Sequence, residues 1–315
     1  MPSLRKILIT GGTGNIGRLL ARKLSNAGHD VRCLDLNQPQ TSQAISGVRY
    51  DAFDIRASAQ LEALYREYKP NTVFHLASLL SGSSESDRSQ AIDINLISSY
   101  RLLELALEND TEVFVFPGTG ASYGPDVPKD MPEEQEQWPE NLYGATKVAV
   151  ERIGVYFKRR HGLDFRCLRP PLVLSPFAPP SALTAYASLA HVAAFEKRPF
   201  AFPVSPEVGM SAIYIQDLVD GFATLAFADS KSLTRNAYNL HAFRPSAQEV
   251  ADSIRKLAPN FEYTFQPDAG VEALLNGTPD RYDDSSARAD WNWDPKYDME
   301  ASSNDIFDLL RQSAL

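Results

Sequence analysis

Cysteine is nearly absent, with only Cys33 and Cys167 in 315 residues. Two thiols cannot build a disulfide framework, and without a CxxC pair or a Cys/His cluster no zinc module is expected and no metal site is assigned. An excess of basic charge is also missing. Lysine and arginine number 31 against 40 acidic residues, a net charge of −9, which speaks against a chain built to grip nucleic acid or an anionic membrane. Long apolar runs are lacking too. The longest stretch without a formal charge, Pro170 to Phe195, is broken by prolines at 170, 171, 176, 179 and 180, so a spanning helix is excluded. The run Ile7-Leu8-Ile9 stops at glycines and is too short for a signal-peptide core. Internal repeats and low-complexity tails are absent. What remains is a globular, cytoplasmic protein that handles a small molecule.

The residues present are ordinary in proportion, 43% hydrophobic and 23% charged, enough to bury a core of two lobes. The first half alternates apolar strand-like and amphipathic helix-like segments. Strands are expected at Lys6 to Thr10, Val31 to Asp35, Thr72 to Ala77, Val113 to Pro117 and Phe165 to Arg169. Helices are expected at Ile16 to Ala27, Ala59 to Tyr68, Asp87 to Glu108 and Tyr143 to Arg160. Repeated β-α-β order with apolar strands predicts an α/β fold, a doubly wound parallel sheet of Rossmann type. Beyond about residue 170 the alternation lapses and prolines cluster. Residues 1–170 are therefore read as a dinucleotide-binding domain to which a few later elements return, and 171–315 as a smaller α/β substrate lobe. Within that lobe, Ser246-Ala-Gln-Glu249 matches a capping box that opens a helix through Leu257.

Glycines at 11, 14 and 17 lie between the first strand and the first helix. Placed there, they let Asn15, Ile16 and the neighbouring backbone N–H groups approach a pyrophosphate. Asp35 ends the second strand about 20 residues on, where a carboxylate hydrogen-bonds ribose hydroxyls and repels a 2′-phosphate. The cofactor expected is NAD. Asp54 is a candidate acceptor for the adenine amino group.

Tyr-x-x-x-Lys occurs twice, at 65/69 and 143/147. The first pair closes a helix at the amino edge of the sheet and reads as surface. The second opens a helix after the loop that leaves strand 113–117 at its carboxyl end, and i, i+4 spacing sets both side chains on one face. A phenol near pKa 10 is a poor proton acceptor at neutrality, and a neighbouring ammonium favours its phenolate. Thr119 ends the same strand and is placed to hold a substrate oxygen toward Tyr143. His75, inside an apolar strand, reads as structural. Asn95 is a candidate to fix backbone or water near the site, and Trp291 and Trp293 read as packing.

These residues resemble the extended short-chain dehydrogenase/reductase family almost end to end. The carriers are Thr10 to Gly17, Asp35, Asp54-Ile55, His75-Leu76-Ala77, Asn95, Thr119 with Tyr123-Gly124, Tyr143-Gly-Ala-Thr-Lys147, Arg169-Pro170 and Asp284 to Pro295. The resemblance implies Thr119, Tyr143 and Lys147 as the catalytic set. It places Ile55, Leu76, Ala77, Tyr143 and Lys147 with the cofactor, Lys147 on the nicotinamide ribose, and it implies a homodimer built on a helix bundle. Within the family, Ala77 to Ser81, Ser175 to Pro180, Ile213 to Asp217 and Asp283 to Trp291 look most similar to the short-chain L-threonine 3-dehydrogenases. Ser81, Thr119, Tyr143, Thr184 and Tyr186 are the substrate-facing residues so implied. Two departures stand out. That group carries a Thr-Thr-Asp-Tyr-like segment where this chain reads Ser181-Ala-Leu-Thr-Ala-Tyr186 without the acid, and Trp-Pro where it reads Thr278-Pro279. The alternative is a nucleotide-sugar 4-epimerase with tightly bound NAD. Against it, Met210 stands where such enzymes carry a phosphate-reading arginine, a role methionine cannot fill. Gly120-Ala121 likewise lacks the acid pair of family dehydratases, and an intact Thr-Tyr-Lys set opposes a purely nucleotide-sensing regulator.

Overall fold

In the computed structural model, which describes residues 4–179 and 184–313, the chain winds around one parallel sheet of seven strands. They are β1 Lys6–Thr10, β2 Asp30–Asp35, β3 Val48–Ala52, β4 Thr72–His75, β5 Val113–Pro117, β6 Asp164–Arg169 and β7 Ala237–Asn239. In space they run β7-β6-β5-β4-β1-β2-β3. The winding direction reverses between β1 and β4, which pair in register from Ile7 with Thr72 to Thr10 with His75. A crevice at the carboxyl ends of these two strands follows from that reversal.

Strand periodicity divides the core. Ile7, Ile9, Val31, Phe74, Val113 and Val115 feed one face, and Leu8, Leu34, Val73, Phe114, Phe116 and Phe165 feed the other. Each such side chain removed from water stabilises the fold by roughly 1.5–3 kcal/mol. The first face is covered by the helices Asn15–Asn26 and Ile215–Phe227, tied by a 2.8 Å ion pair between Lys23 and Asp220. The second is covered by Ser58–Tyr68, Ser98–Glu108 and Leu142–His161.

Edge strand β3 escapes the sequence reading because its Val-Arg-Tyr-Asp-Ala lacks a buried run. The helical stretch expected over 87–108 runs from Arg88 to Glu108 but widens to a π-helix over Ile92–Ile97. Tyr65 is a correction. Its ring is fully buried among the second-face residues, since helix Ser58–Tyr68 turns Leu61, Leu64, Tyr65 and Tyr68 inward. Lys69 alone of that pair is exposed.

After β6 the chain forms short parallel pairs beyond the sheet: Leu172–Leu174 with Ala212–Tyr214, and Phe200–Phe202 with Tyr263–Phe265. A third pair joins Asp130–Met131 to Arg281–Tyr282. Strand β7 and helix Ile215–Phe227 return to the central sheet, so elements from before and after residue 170 interleave. Ser246 caps helix Ala247–Leu257 in a complete capping box with Glu249. Trp291 meets Tyr238 of β7 edge-on at 5.9 Å, and Trp293 lies against Gly221. No described helix is long and apolar enough to cross a membrane. Among the described residues, no group of His, Cys, Asp or Glu is arranged to hold a metal ion.

Candidate active site

The glycine turn after β1 is built with no spare room. Gly11 takes φ +70° and donates its N–H to Leu34 O at 2.8 Å. A Cβ on Gly11 would stand 2.8 Å from the Ala77 nitrogen, and one on Gly17 would stand 2.1 Å from Gly11 O. The helix that follows starts at Asn15 after Gly14, with no side chain capping its first turn. Its opening N–H groups and positive dipole end therefore face the crevice, the arrangement that suits an anion such as a pyrophosphate.

At the end of β2, Asp35 is pinned by two backbone donors, Thr13 N–H at 3.0 Å and Leu36 N–H at 2.8 Å. Asp54 is gripped by Arg56, whose Nη2 lies 2.6 Å away, and that pairing holds its carboxyl below the usual range. Ile55 is buried beside it. Leu76 and Ala77 follow β4 directly; Leu76 N–H reaches Thr10 O at 3.0 Å and Ala77 N–H reaches the Thr10 hydroxyl at 3.3 Å. A bare-backbone cradle, an uncapped helix start and a fixed carboxylate one strand over fit NAD. The glycines let the turn fold tightly on its own backbone, which leaves the uncapped helix start open to an anion such as the pyrophosphate, and Asp35 suits the ribose hydroxyls.

Helix Leu142–His161 places the remaining chemistry. Asn141 caps it, its Oδ1 accepting from Gly144 N–H at 2.7 Å, and Glu85 accepts from Leu142 N–H at 2.8 Å. Tyr143 and Lys147 follow one turn apart. Thr119, held after β5 by Gly118 N–H to Leu168 O and Gly120 N–H to Pro170 O, sits near enough to the Tyr143 phenol to favour its ionised form. Lys147 is buried, with Nζ 4.6 Å from the Phe116 ring centre and 5.5 Å from that of Tyr143. Burial pushes the Tyr143 phenol up to about 12, partly offset by Thr119, and pulls the Lys147 ammonium down to about 7. The sequence expectation that Lys147 draws the phenol pKa down is not met in the protein alone, where burial dominates and Thr119 supplies the offset. Desolvation disfavours both charged forms, and Nζ stands over the ring.

Asn95 lies in the π-helix turn, and its amide brackets Leu79 while Nδ2 also approaches Thr146 Oγ1 at 3.4 Å. Thr146 in turn donates to Tyr143 O at 2.8 Å. His75 is satisfied on both ring nitrogens, by Thr10 and Ser99 hydroxyls each at 2.7 Å, and burial drives its pKa to about 3. It is structural. Ser81 opens the short helix Ser81–Ser86 whose Glu85 caps the Tyr143 helix. Thr184 is half-buried just before helix Tyr186–Phe195. Tyr186 is 2% exposed and its hydroxyl has no hydrogen-bond partner among the described residues. Residues 181–183 of the segment lacking the acid lie outside the described residues.

Sequence reading missed Glu85, Asn141, Ser175 and Tyr282 as site-building residues. Asn141, an Asn just ahead of a helical segment, carried a readable N-cap signal. The others act across long separations. Ser175 Oγ donates to Asn15 Oδ1 at 2.6 Å, and the Tyr282 hydroxyl fills the space a Cβ on Gly120 would take.

The model of the NAD dependent epimerase/dehydratase family matches residues 7–240. An uncharacterised epimerase/dehydratase of Staphylococcus saprophyticus is 30% identical over 98% of this chain and 97% of its own length. The L-threonine 3-dehydrogenase of Trypanosoma brucei superposes with a TM-score of 0.91 at 28% identity, covering 99% of both chains. A monomeric L-threonine 3-dehydrogenase from a metagenome gives 0.89 at 28%, over 98% of this chain and all of the other. The UDP-glucose 4-epimerase of Thermotoga maritima gives 0.86 at 21% identity, over 98% and 99%, a likeness of fold.

Proposed function

The chain belongs to the NAD-dependent epimerase/dehydratase family, and from that premise we propose that it oxidises the secondary alcohol of a small polar metabolite, as an L-threonine 3-dehydrogenase-like enzyme. The observation that carries the reading is the meeting of Thr119, Tyr143 and Lys147 at the carboxyl edge of the sheet. NAD, when bound, supplies the hydride acceptor. Gly11, Gly14, Asn15, Ile16 and Gly17 would hold its pyrophosphate, Asp35 its adenosine ribose, Asp54 and Ile55 the adenine, and Leu76, Ala77, Tyr143 and Lys147 the nicotinamide half.

Thr119 orients the substrate hydroxyl by a hydrogen bond, and Tyr143 Oη takes its proton. Lys147 is one helical turn away and, charged, favours the phenolate that this transfer requires. Ser81, Thr184 and Tyr186 would contact the rest of the substrate. In this reading residues 1–170 carry the cofactor and residues 171–315 shape the substrate pocket. Met210, buried and apolar, is the residue that weighs against a nucleotide-sugar epimerase. Two buried thiols fit a cytoplasmic, reducing compartment. Ile97, Tyr100 and Tyr156, all exposed on the helices flanking the site, would form the seam of a homodimer.

The test is NADH formation from a panel of small hydroxy acids and amino alcohols, run beside epimer formation from UDP-hexoses. Dehydrogenation of any small alcohol, lost in Tyr143→Phe, is expected. Epimerisation of a UDP-sugar with no dehydrogenation would replace this reading with its rival.

A further inference from the structure

We propose that Arg169, through its buried pair with Glu151, is the positioning residue that sets Thr119 against the helix carrying Tyr143 and Lys147. The proposal rests on the dehydrogenase reading for the reaction and adds residues that touch neither substrate nor cofactor.

The three reacting side chains come from two separate elements. Thr119 stands on the loop after β5, whereas Tyr143 and Lys147 stand on helix Leu142–His161. Glu151 lies one further turn along that helix, so positions 143, 147 and 151 follow one another along one face. Arg169 ends β6, the strand paired with β5. Its Nε and Nη2 donate to the two oxygens of Glu151 at 2.8 and 2.5 Å, and its Nη1 donates to Tyr123 Oη at 2.8 Å. Tyr123 follows the turn Gly120–Ser122 that continues the Thr119 loop, and it donates onward to Asn239 Oδ1 of β7 at 2.5 Å. One planar guanidinium thus holds the catalytic helix with one edge and the threonine loop with the other.

The loop also lies on the stem of the same arginine. A Cβ on Gly118 would stand 2.9 Å from Arg169 Cγ and 3.0 Å from Cys167 Sγ, and one on Gly144 would stand 2.4 Å from Ala121 O. Residues 118–121 are therefore packed both on β6 and on the residue that follows Tyr143. Tyr282 adds a further contact, its hydroxyl against Gly120 and its ring 6.1 Å from that of Tyr123.

Stability alone does not account for this network. Arg169 and Glu151 are both buried, and a buried ion pair adds little over apolar residues of similar size, because two charges must leave water to form it. What the pair supplies is geometry. The guanidinium fork is rigid and directs its bonds in one plane, whereas lysine, a point charge on a flexible stem, offers no such fork. Reacting groups misplaced by about 1 Å lose about a hundredfold in rate, so a rigid link between the two elements acts directly on turnover.

The test separates positioning from stability. Arg169→Met combined with Glu151→Leu replaces the pair by apolar side chains, and its urea midpoint should match or exceed that of the wild type. Hydrogen exchange read by mass spectrometry should nevertheless quicken about tenfold or more over residues 118–124, where Gly118 and Gly120 N–H groups bond Leu168 O and Pro170 O. Turnover of the alcohol that the wild type oxidises fastest should stay about tenfold or more lower in kcat, with NADH affinity by fluorescence titration unchanged. Tyr123→Phe keeps the Glu151 bonds and removes only the loop side of the network. It should quicken the same exchange and lower kcat to a smaller degree, and it carries the test if the double variant does not fold. Recovery of kcat together with stability in the double variant, unchanged loop exchange, no effect of Tyr123→Phe on either reading, or a fall in NADH affinity as large as the fall in kcat would each overturn the proposal. A wild type that oxidises no alcohol, with loop exchange responding as expected, would instead strike the dehydrogenase reading.

Discussion

The Asn95 amide closes on the backbone of Leu79 from both sides, Oδ1 accepting from its N–H at 2.8 Å and Nδ2 donating to its carbonyl at 3.0 Å. The same Nδ2 reaches Thr146, which bonds the carbonyl of Tyr143. One side chain therefore couples the loop after β4, where Ser81 sits, to the helix that presents the phenol. The widened turn at Ile92–Ile97 is what aims it, in keeping with the frequent use of such turns at functional sites.

Asn95→Ala should accordingly cost about 1–3 kcal/mol, because it strands a half-buried N–H and C=O. It should also lower kcat more than it changes NADH affinity. Urea unfolding and steady-state kinetics on the same preparation would read both. Unchanged stability and turnover would remove Asn95 from the positioning network.

Tyr143→Phe should reduce turnover by about a thousandfold or more while NADH still binds, since the ring packs as before and only the transferable proton is lost. Lys147→Ala should weaken both turnover and NADH affinity. Tyr65→Phe is the control. That hydroxyl is buried without a partner among the described residues, so its removal should leave activity intact and stability equal or higher. Inactivation by Tyr65→Phe with Tyr143→Phe still active would reverse the assignment.

Legibility in the sequence followed the range of the interaction. Strand β1 and strand β5 are bounded by their own apolar runs and by the glycines or loop that end them, so Lys6–Thr10 and Val113–Pro117 can be read directly. Asp35, Thr119, Tyr143 and Lys147 are legible because each sits a fixed distance from such a boundary. Edge strand β3 is not, since none of its five residues is fully buried. Tyr65 was misread because a helix at the amino edge can still turn one face into the core. Links such as Glu85 to Leu142, Ser175 to Asn15 and Tyr282 to Gly120 join segments 57 to 162 residues apart. No local pattern encodes those. Pairing across the sheet decides them.

Two buried histidines make stability depend on pH. Burial lowers His75 to about 3 and His191, which bonds Ala187 O and the Ser303 hydroxyl, to about 4. In the unfolded chain both titrate near 6.5. Between these values the unfolded state binds more protons, so stability is present above pH 6.5 and is lost as pH falls below it. The urea midpoint should drop steadily from pH 7.5 to pH 5.0, and His191→Gln should flatten that slope. A midpoint that holds or rises over this range would contradict the assignment of both rings as neutral and buried.

The exposed seam on the flanking helices predicts association. Ile97, Tyr100 and Tyr156 are 54%, 42% and 55% exposed, and Tyr100 packs edge-on against Phe157 of the neighbouring helix at 6.2 Å. Light scattering should give a dimer mass, and Ile97→Glu with Tyr156→Glu should give a monomer with an unchanged circular dichroism spectrum. A wild-type monomer, like the monomeric structural neighbour, would leave these side chains as plain surface.

Cofactor choice turns on Asp35. Both its oxygens already accept backbone N–H groups, from Thr13 and Leu36, so the carboxylate cannot swing aside for a 2′-phosphate. Two like charges about 5 Å apart at an effective dielectric of about 20 repel by roughly 3 kcal/mol, about a hundredfold in Kd. NADPH should therefore bind about a hundredfold more weakly than NADH when each is titrated by nicotinamide fluorescence. Asp35→Asn keeps the shape and an acceptor for one of the two backbone donors but removes the charge, and should narrow the gap to less than tenfold. Salt offers an independent check: screening weakens the repulsion between exposed groups, so the wild-type gap should shrink as ionic strength rises, while that of Asp35→Asn should barely move. Equal affinity for the two cofactors in the wild-type protein would mean that the adenosine ribose lies away from Asp35.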